Sequence, residues 1–312
     1  MDNAAIDRFE ASRGRLASLA YRLLGSAADA EDAVQDTFLR WQAADREQIG
    51  VPEAWLTKVV TNLCLDRLRS AQARHERVAG AWLPEPLLEG DPMLGPADTF
   101  AQRESVSLAV LTLMERLSPV ERAAYVLREA FSYTHAEIAG ILDITESASQ
   151  QHVHRARRRV TAERRGSDEV DPASARRIVE EFLLAAASGR TERLVEMLTA
   201  DVIAVSDGAG LARRLLRYKS RERVASYVGA GFKPTPAKRR LAGGSPALHV
   251  ALVNGSPAVV AVIEGRVVGA VSCEVSDGKV ASLHGIAAAV RLTRLNEAWQ
   301  QRDPGAPVIS AW

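Results

Sequence analysis

The chain has 312 residues, 47% of them hydrophobic and 25% charged, and its 40 Lys and Arg against 39 Asp and Glu leave a net charge of +1. That length allows two or three domains, each with its own core, while no apolar run is long enough to span a membrane. Cys64 and Cys273 lie far apart without metal-ligand spacing, which argues against a disulfide scaffold or a structural zinc, and a protein that grips duplex DNA unaided carries a basic surplus that this chain lacks.

The opening MDNAAIDRFE is polar and acidic, unlike a signal peptide, so the expected compartment is the reducing cytoplasm. From about Ile6 to Leu68 the pattern is helical. Apolar residues recur at three and four in AEDAVQDTFLRW (Ala30, Val34, Phe38, Trp41) and in PEAWLTKVVTNLCLDRLR (Trp55, Val59, Leu63), with Pro52 suited to a first turn. Trp55 is assigned to the core. The stretch SAQARHERVAGAWLPEPLLEGDPMLGPADT holds Pro84, Pro86, Pro92 and Pro96 and reads as a linker.

Helices resume near Ala101. Ser118, Pro119 and Glu121 make a capping box at the head of SPVERAAYVL, and Thr134 with Glu137 makes a second for HAEIAGIL. The turn DIT and a cap at Thr145 lead into a further helix, so the pattern is helix-turn-helix. On that last helix Val153, Ala156 and Val160 share the core face. Ser147, Gln150, Gln151 and His154 lie elsewhere on its early turns, where side chains meet base edges. Arg155, Arg157, Arg158 and Arg159, with Arg164 and Arg165 beyond, suit phosphates and complement the helix C-terminus. The local basic patch in a nearly neutral chain points to DNA binding in which a partner supplies much of the grip.

RRGSDEVDPASA is a second linker. Beyond it a helix fits SARRIVEEFLLAAASGRTERLVEML, broken near Gly189, and the valine-rich runs DVIAVS, ALHVALV, AVVAVIE, RVVGAVSCEV and KVASLHGIA are separated by NGSP, EGR and SDG turns. A helix followed by a meander of hairpins predicts a curved antiparallel sheet wrapped on helices.

The segment LSPVERAAYVLREAFSYTHAEIAGILDITESASQQHVHRARRRV resembles the promoter −35-reading region of the extracytoplasmic-function, or group IV, sigma factors. DAEDAVQDTFLRWQ resembles their core-polymerase-binding helix, and AWLTKVVTNLCLDRLRS their −10 region. AWLPEPL and the C-terminal pattern are similar to the subgroup that carries a fused SnoaL-like domain. The resemblance implies two all-α sigma domains, a helical bundle and a helix-turn-helix, followed by an α+β cystatin-type, SnoaL-like cone. The implied boundaries are 1–75 for region 2, 76–100 for a linker, 101–165 for region 4, 166–173 for a second linker and 174–312 for the SnoaL-like domain.

By this resemblance the chain is a sigma factor, not an enzyme, that directs core RNA polymerase to promoters and is modulated by its fused domain. It implies docking on the polymerase β′ coiled coil through Asp32, Gln35, Asp36 and Arg40, with a further contact to the β flap. It implies −10 melting through the loop AADREQIGVP and the set Thr57, Lys58, Thr61, Asn62 and Arg69, which project off the apolar stripe, together with a pocket for an extruded base. Interdomain regulation falls to Trp82, Leu83, Pro84, Glu85, Pro86, Leu87 and Asp207. No metal, cofactor or membrane is implied; a small ligand in the C-terminal domain is left open, and a monomer is expected.

The chain departs from the family pattern at four places. Asp143 stands where a turn glycine is usual, and Ser149 where a valine is buried, which predicts looser packing under the recognition helix. DGAGL (207–211) replaces DGGGK, and RLTRL (291–295) replaces an NPDKL-like motif. Two rivals remain at this point. A one-component regulator would bind duplex alone and leave residues 1 to 70 unexplained. An isomerase or cyclase would recruit Asp207, His249 or His284 as an acid–base group.

Overall fold

A computed structural model describes residues 3–75, 83–95, 102, 104–163, 170–211, 214–233 and 235–311. The sequence-based assignments to Trp82, Arg164 and Arg165 lie outside the described residues. Packing divides the chain into two units. The first takes its residues from 1–79, 90–106 and 110–163, the second from 80–89, 107–109 and 164–312.

The first unit is all helical. α1 (Asn3–Leu24), α2 (Ala27–Ala43) and α3 (Pro52–His75) pack on one another. Ser26 caps α2 by accepting from the Asp29 amide. Trp41 is buried and donates its indole N–H to the Ala5 carbonyl at 2.9 Å, so the core tryptophan carries no orphaned donor. Phe9 and Phe38 meet with ring centroids 4.8 Å apart. The helix α4 (Leu108–Met114) begins in the second unit, with Leu108 and Ala109, and continues into the first, where α5 (Pro119–Glu129), α6 (His135–Leu142) and α7 (Glu146–Glu163) follow.

Both capping boxes form, at Ser118 and at Thr134. Thr145 Oγ1 accepts from the Ala148 amide at the head of α7. Val153, Ala156 and Val160 are buried as their spacing predicts, each valine contributing about 1.5–3 kcal/mol of burial. Asp143 closes α6 in the left-handed region (φ 54°, ψ 47°), the conformation that the missing glycine would have taken freely. Arg22 is almost wholly buried in α1 and donates to the Leu94 and Gln102 carbonyls and to Ser105 Oγ, fastening the segment after the linker to this helix. Its burial lowers the guanidinium pKa to about 10, which still leaves it charged.

The second unit is α+β. α8 (Pro172–Ala187) is capped by Asp171, and the chain turns at Gly189 (φ 71°) into α9 (Thr191–Glu196). There follow β1 (Leu198–Ser206), β2 (Leu216–Lys219), α10 (Arg221–Phe232), α11 (Pro236–Ala242), β3 (Ala247–Val253), β4 (Ser256–Ile263), β5 (Arg266–Ser276), β6 (Lys279–Ile286) and α12 (Thr293–Gln300). The five valine-rich runs are strands, and the α+β class is as expected.

The sheet order is β2-β1-β6-β5-β4-β3, and one expectation needs correction: β1 and β6 run parallel, so the sheet is mixed. β1 is separated from the β3–β6 meander by β2 and two helices, and the last strand of the meander returns beside it in the same direction. β2 and the helices α10 to α12 were absent from the sequence reading; α10 carries Gly229 and Gly231, which weaken its helical signal.

Each strand alternates between two cores. One face, with Val202, Val250, Val259, Cys273 and Leu283, packs on α8, α9 and α10. The other, with Val205, Ala258, Val260 and Ala270, packs on Leu83, Leu88, Leu108 and the α12 residues Leu295 and Trp299.

Candidate nucleic-acid interface

The recognition-helix candidates sit together. Ser147, Gln150, Gln151, His154, Arg155, Arg157 and Arg158 are all exposed on α7, opposite its buried valines. Glu121 organises part of the basic end: Arg155 lies 3.2 Å and Arg159 2.9 Å from its carboxylate, while Arg157 reaches Glu129 at 2.5 Å. Burial pushes the Glu121 carboxyl upward, but hydrogen bonds from the Ser118 backbone and side chain, with the Arg159 and Arg155 charges, hold it below the usual carboxylate range. The capping glutamate of α5 thus positions arginines on the outer face of α7, where exposed ion pairs are weak enough to exchange for phosphates.

Ser149 is fully buried, and its hydroxyl lies 3.1 Å from His135 Nδ1. The loose packing expected beneath α7 is replaced by a polar contact between α6 and α7.

The −10 candidates divide. Asn62 is half-buried and Arg69 is exposed, paired with Asp66 at 3.3 Å. Thr57 and Thr61 do not project off the apolar stripe: both are buried, and their hydroxyls donate to the Glu53 and Thr57 carbonyls one turn back. The reason is long-range. α5 and α6 also pack on α3, so α3 is covered on more than the face it turns to α1 and α2.

Lys58 takes part in the same closure, donating to Asp143 Oδ1 at 2.5 Å and to the Gly140 carbonyl at 3.0 Å. The Tyr133 hydroxyl lies 3.2 Å from Thr57 Oγ1 and accepts from Arg15. Beside the start of α3, Asp45, Gln48, Ile49, Val51, Ala54 and Trp55 line an open depression of about 530 Å³. Trp55 is half-buried, not a core residue; it stacks obliquely on Trp41 and leaves part of its ring toward this depression.

On α2, Asp32, Gln35 and Arg40 are exposed and Asp36 is half-buried. Arg67 of α3 lies 2.9 Å from Asp36 and 3.8 Å from Asp32, which partly neutralises this acidic face. Leu39 was missed by the sequence reading: it is 54% exposed among these polar residues, off the Ala30–Val34–Phe38–Trp41 stripe, a position that the helical period reveals.

In the second unit the linker residues Leu83, Pro84, Pro86 and Leu87 are buried and Glu85 half-buried. Leu87 and Asn254 exchange two bonds: the Leu87 amide donates to Asn254 Oδ1 at 2.8 Å, and the Asn254 amide to the Leu87 carbonyl at 2.9 Å. The Glu89 amide donates to the Leu252 carbonyl, and Leu88 bridges Val253 antiparallel. The linker therefore extends the sheet at the end of its edge strand β3. Glu85 lies 3.9 Å from Arg291, the first residue of RLTRL, whose Leu292 and Leu295 join the core under Leu83 and Leu88.

Asp207 is buried and spends its carboxylate on backbone amides, accepting from Ala209, Ala287 and Ala288 at 2.9–3.0 Å. It ties the end of β1 to the segment after β6 and has no geometry of a general base. His284 and His249 stand on β6 and β3, three strand spacings apart, at least about 14 Å. Burial, with the Arg217 charge adding to it, pushes His284 down to about 4; burial also lowers His249, which packs edge-on against Trp299. Both cysteine thiols are buried and pushed up to about 12, so neither is a nucleophile.

Comparison with known proteins gives a consistent result. The family model Sigma-70 region 2 matches residues 8–74, and Sigma-70, region 4 matches residues 107–160. The chain is 39% identical over 225 residues, 72% of each chain, to the ECF RNA polymerase sigma factor SigJ of Mycobacterium tuberculosis. It is 31% identical over 281 residues, 88% of this chain and 90% of the other, to the probable ECF RNA polymerase sigma factor SigI of the same species. The crystal structure of M. tuberculosis SigJ superposes with a TM-score of 0.69 and 32% identity, covering 93% of this chain and 98% of that one.

Proposed function

The chain belongs to the extracytoplasmic-function (ECF) RNA polymerase sigma factors, and from that premise we propose how its residues divide the work. As a sigma factor it is an initiation factor and not an enzyme; regions 2 and 4 direct core RNA polymerase to promoters. The rival of a one-component regulator leaves residues 8–74 without a role. No helix among the described residues is long and apolar enough to cross a membrane, and we place the chain in the cytoplasm, acting there as a monomer on the polymerase.

The observation that carries the reading is the outer face of α7. Gln150, Gln151, Ser147 and His154 read base edges at −35, while Arg155 and Arg157 trade their carboxylate partners for phosphates and Arg158 adds a further phosphate contact. Asp32, Gln35, Asp36 and Arg40 dock on the β′ coiled coil with Leu39 as the apolar anchor, and region 4 meets the β flap. Lys58, Asn62 and Arg69 hold the melted −10 strand, and the depression beside Trp55 receives an extruded base.

The conformation described is a resting one. Lys58 is held by Asp143, and Thr57 is covered together with Tyr133, so α6 must leave α3 before the −10 strand can bind. The C-terminal unit regulates by holding the linker: residues 83–89 are bonded to β3 and the β3–β4 turn, which fixes the tether between regions 2 and 4. The altered RLTRL motif keeps this hold through Arg291 on Glu85, while Asp207 of DGAGL ties β1 to the 287–288 backbone.

Run-off transcription by core polymerase with the full chain, on promoters randomised at −35, tests the assignment. Gln151→Ala is expected to relax base preference at one position by about 1–3 kcal/mol while Arg158→Ala weakens all promoters alike. An unchanged base preference in Gln150→Ala and Gln151→Ala together would move the reading surface elsewhere.

A further inference from the structure

Between the sheet and α8 and α10, the second unit encloses a cavity of about 110 Å³. Its wall is almost entirely carbon and sulfur: Phe182 from α8, Val228 and Phe232 from α10, and Val259, Cys273 and Leu283 from the sheet. Among the described residues no charged side chain lines it. Tyr227 also lines it; its hydroxyl bonds the Ser206 side chain behind the wall, and its ring stacks on Tyr218 with centroids 4.2 Å apart. Close packing leaves few voids larger than a water molecule in a domain core, and an apolar void of similar size, about 150 Å³, stays dry and takes up benzene.

The helix closing the cavity is built to yield. α10 has twelve residues, and two of its last four are glycines, Gly229 and Gly231. Neither has a positive φ, and a methyl group at either would meet nothing within 4 Å, so no steric demand explains them. Each weakens the helix relative to alanine by about 1 kcal/mol. The weakest stretch of α10 is thus the stretch that seals the cavity.

We infer that this cavity binds a small uncharged ligand of about one ring, apolar over most of its surface and with room for a single hydroxyl toward Tyr227, entering past the Gly229–Gly231 end of α10. Anions and cations are excluded, since nothing in the wall would neutralise them. The strands that floor the site, β4 and β5, carry Ala258, Val260 and Ala270 on the opposite face, in the core that also holds Leu83 and Leu88 of the linker. An occupant therefore lies on the back of the surface that grips the linker; its use as a regulator rests on the reading proposed above, whereas the binding does not.

The test uses the full chain and three probes: benzene, phenol and benzoate. Benzene and phenol are expected to bind saturably, to raise Tm, and to give intermolecular NOEs to the methyl groups of Val228, Val259 and Leu283; benzoate is expected to do none of these. Filling the space with Cys273→Leu, or separately with Val271→Phe, should weaken benzene at least about tenfold while the far-UV spectrum is retained. No saturable binding of either neutral probe to the wild-type chain would overturn the inference. So would NOEs confined to residues outside the cavity, a readout on the wild-type protein that stands even if both filled variants fail to fold. Binding of benzoate as tight as that of benzene would overturn the assigned ligand class.

Discussion

Lys58 Nζ sits 2.5 Å from Asp143 Oδ1, joining α3 to the left-handed turn that separates α6 from α7. The two surfaces proposed above to face DNA are thereby held against one another. Both side chains are partly exposed, at 38% and 70%, so the pair contributes about 1 kcal/mol or less. A contact this weak suits the release of α6 from α3 proposed above. Asp143→Gly removes the carboxylate while easing the left-handed backbone. In that variant, combined with Tyr133→Phe, the distance between spin labels on α3 and α6 is expected to broaden toward longer values with unchanged helix content. A distribution identical to wild type would mean that other contacts hold the closure.

The linker clamp makes a separate prediction. Asn254 has φ 53° and holds Leu87 through both its amide and its side chain. Asn254→Gly preserves the turn and deletes the side-chain acceptor, leaving the buried Leu87 amide unsatisfied at a cost of about 1–3 kcal/mol. Amide exchange at Leu87 and Glu89 should accelerate, and transcription with core polymerase should change in level without changing start site. Exchange as slow as in wild type would show that the apolar contacts of Leu83 and Leu88 hold the linker unaided.

On α2, Leu39→Glu should leave urea stability within about 0.5 kcal/mol, because the side chain is largely in solvent. Affinity for core polymerase should fall at least about tenfold if the leucine is the apolar anchor of the docking face. Unaltered affinity would remove Leu39 from that face.

His284 makes stability depend on pH. Its folded pKa is depressed to about 4 against an ordinary value of 6.5, so it is neutral in the fold while the unfolded chain takes up a proton below pH 6.5. Stability is full above the unfolded value and is lost as pH falls from 6.5 toward 4. The loss amounts to about 2 kcal/mol by pH 5. His152 and His249 are lowered too, with burial the leading cause, and slope the same way. Denaturant titrations at pH 7 and pH 5 should therefore show a smaller difference for His284→Asn than for wild type; equal differences would mean the ring is solvated in the folded state.

Much of the first unit is legible from local signals, because capping boxes at Ser118 and Thr134 and the Val153–Ala156–Val160 stripe act within one or two turns of helix. What escaped notice depends on partners distant in the chain. Thr57 and Thr61 look like surface residues on the three-and-four pattern, but α3 is covered by α5 and α6 as well as by α1 and α2, and both are buried. The Ser149 hydroxyl finds His135 fourteen residues back. The prolines announce a linker at 84–86 but not that Leu87 pairs with Asn254 across 167 positions. Leu39 was readable, since it stands outside the apolar stripe at a spacing the helix period makes plain. The parallel return of β6 beside β1 has no local signature, because periodicity gives a strand's faces and not its neighbours.

On the function proposed above, this chain selects promoters only as part of a polymerase. The most direct measurement is promoter binding by the full chain with and without core RNA polymerase, followed by transcript start-site mapping. Weak, salt-sensitive binding to duplex by the chain alone is expected, with transcripts from defined starts, dependent on −35 and −10 elements, once core is added. Tight sequence-specific duplex binding without core, together with no effect on where core initiates, would contradict that function.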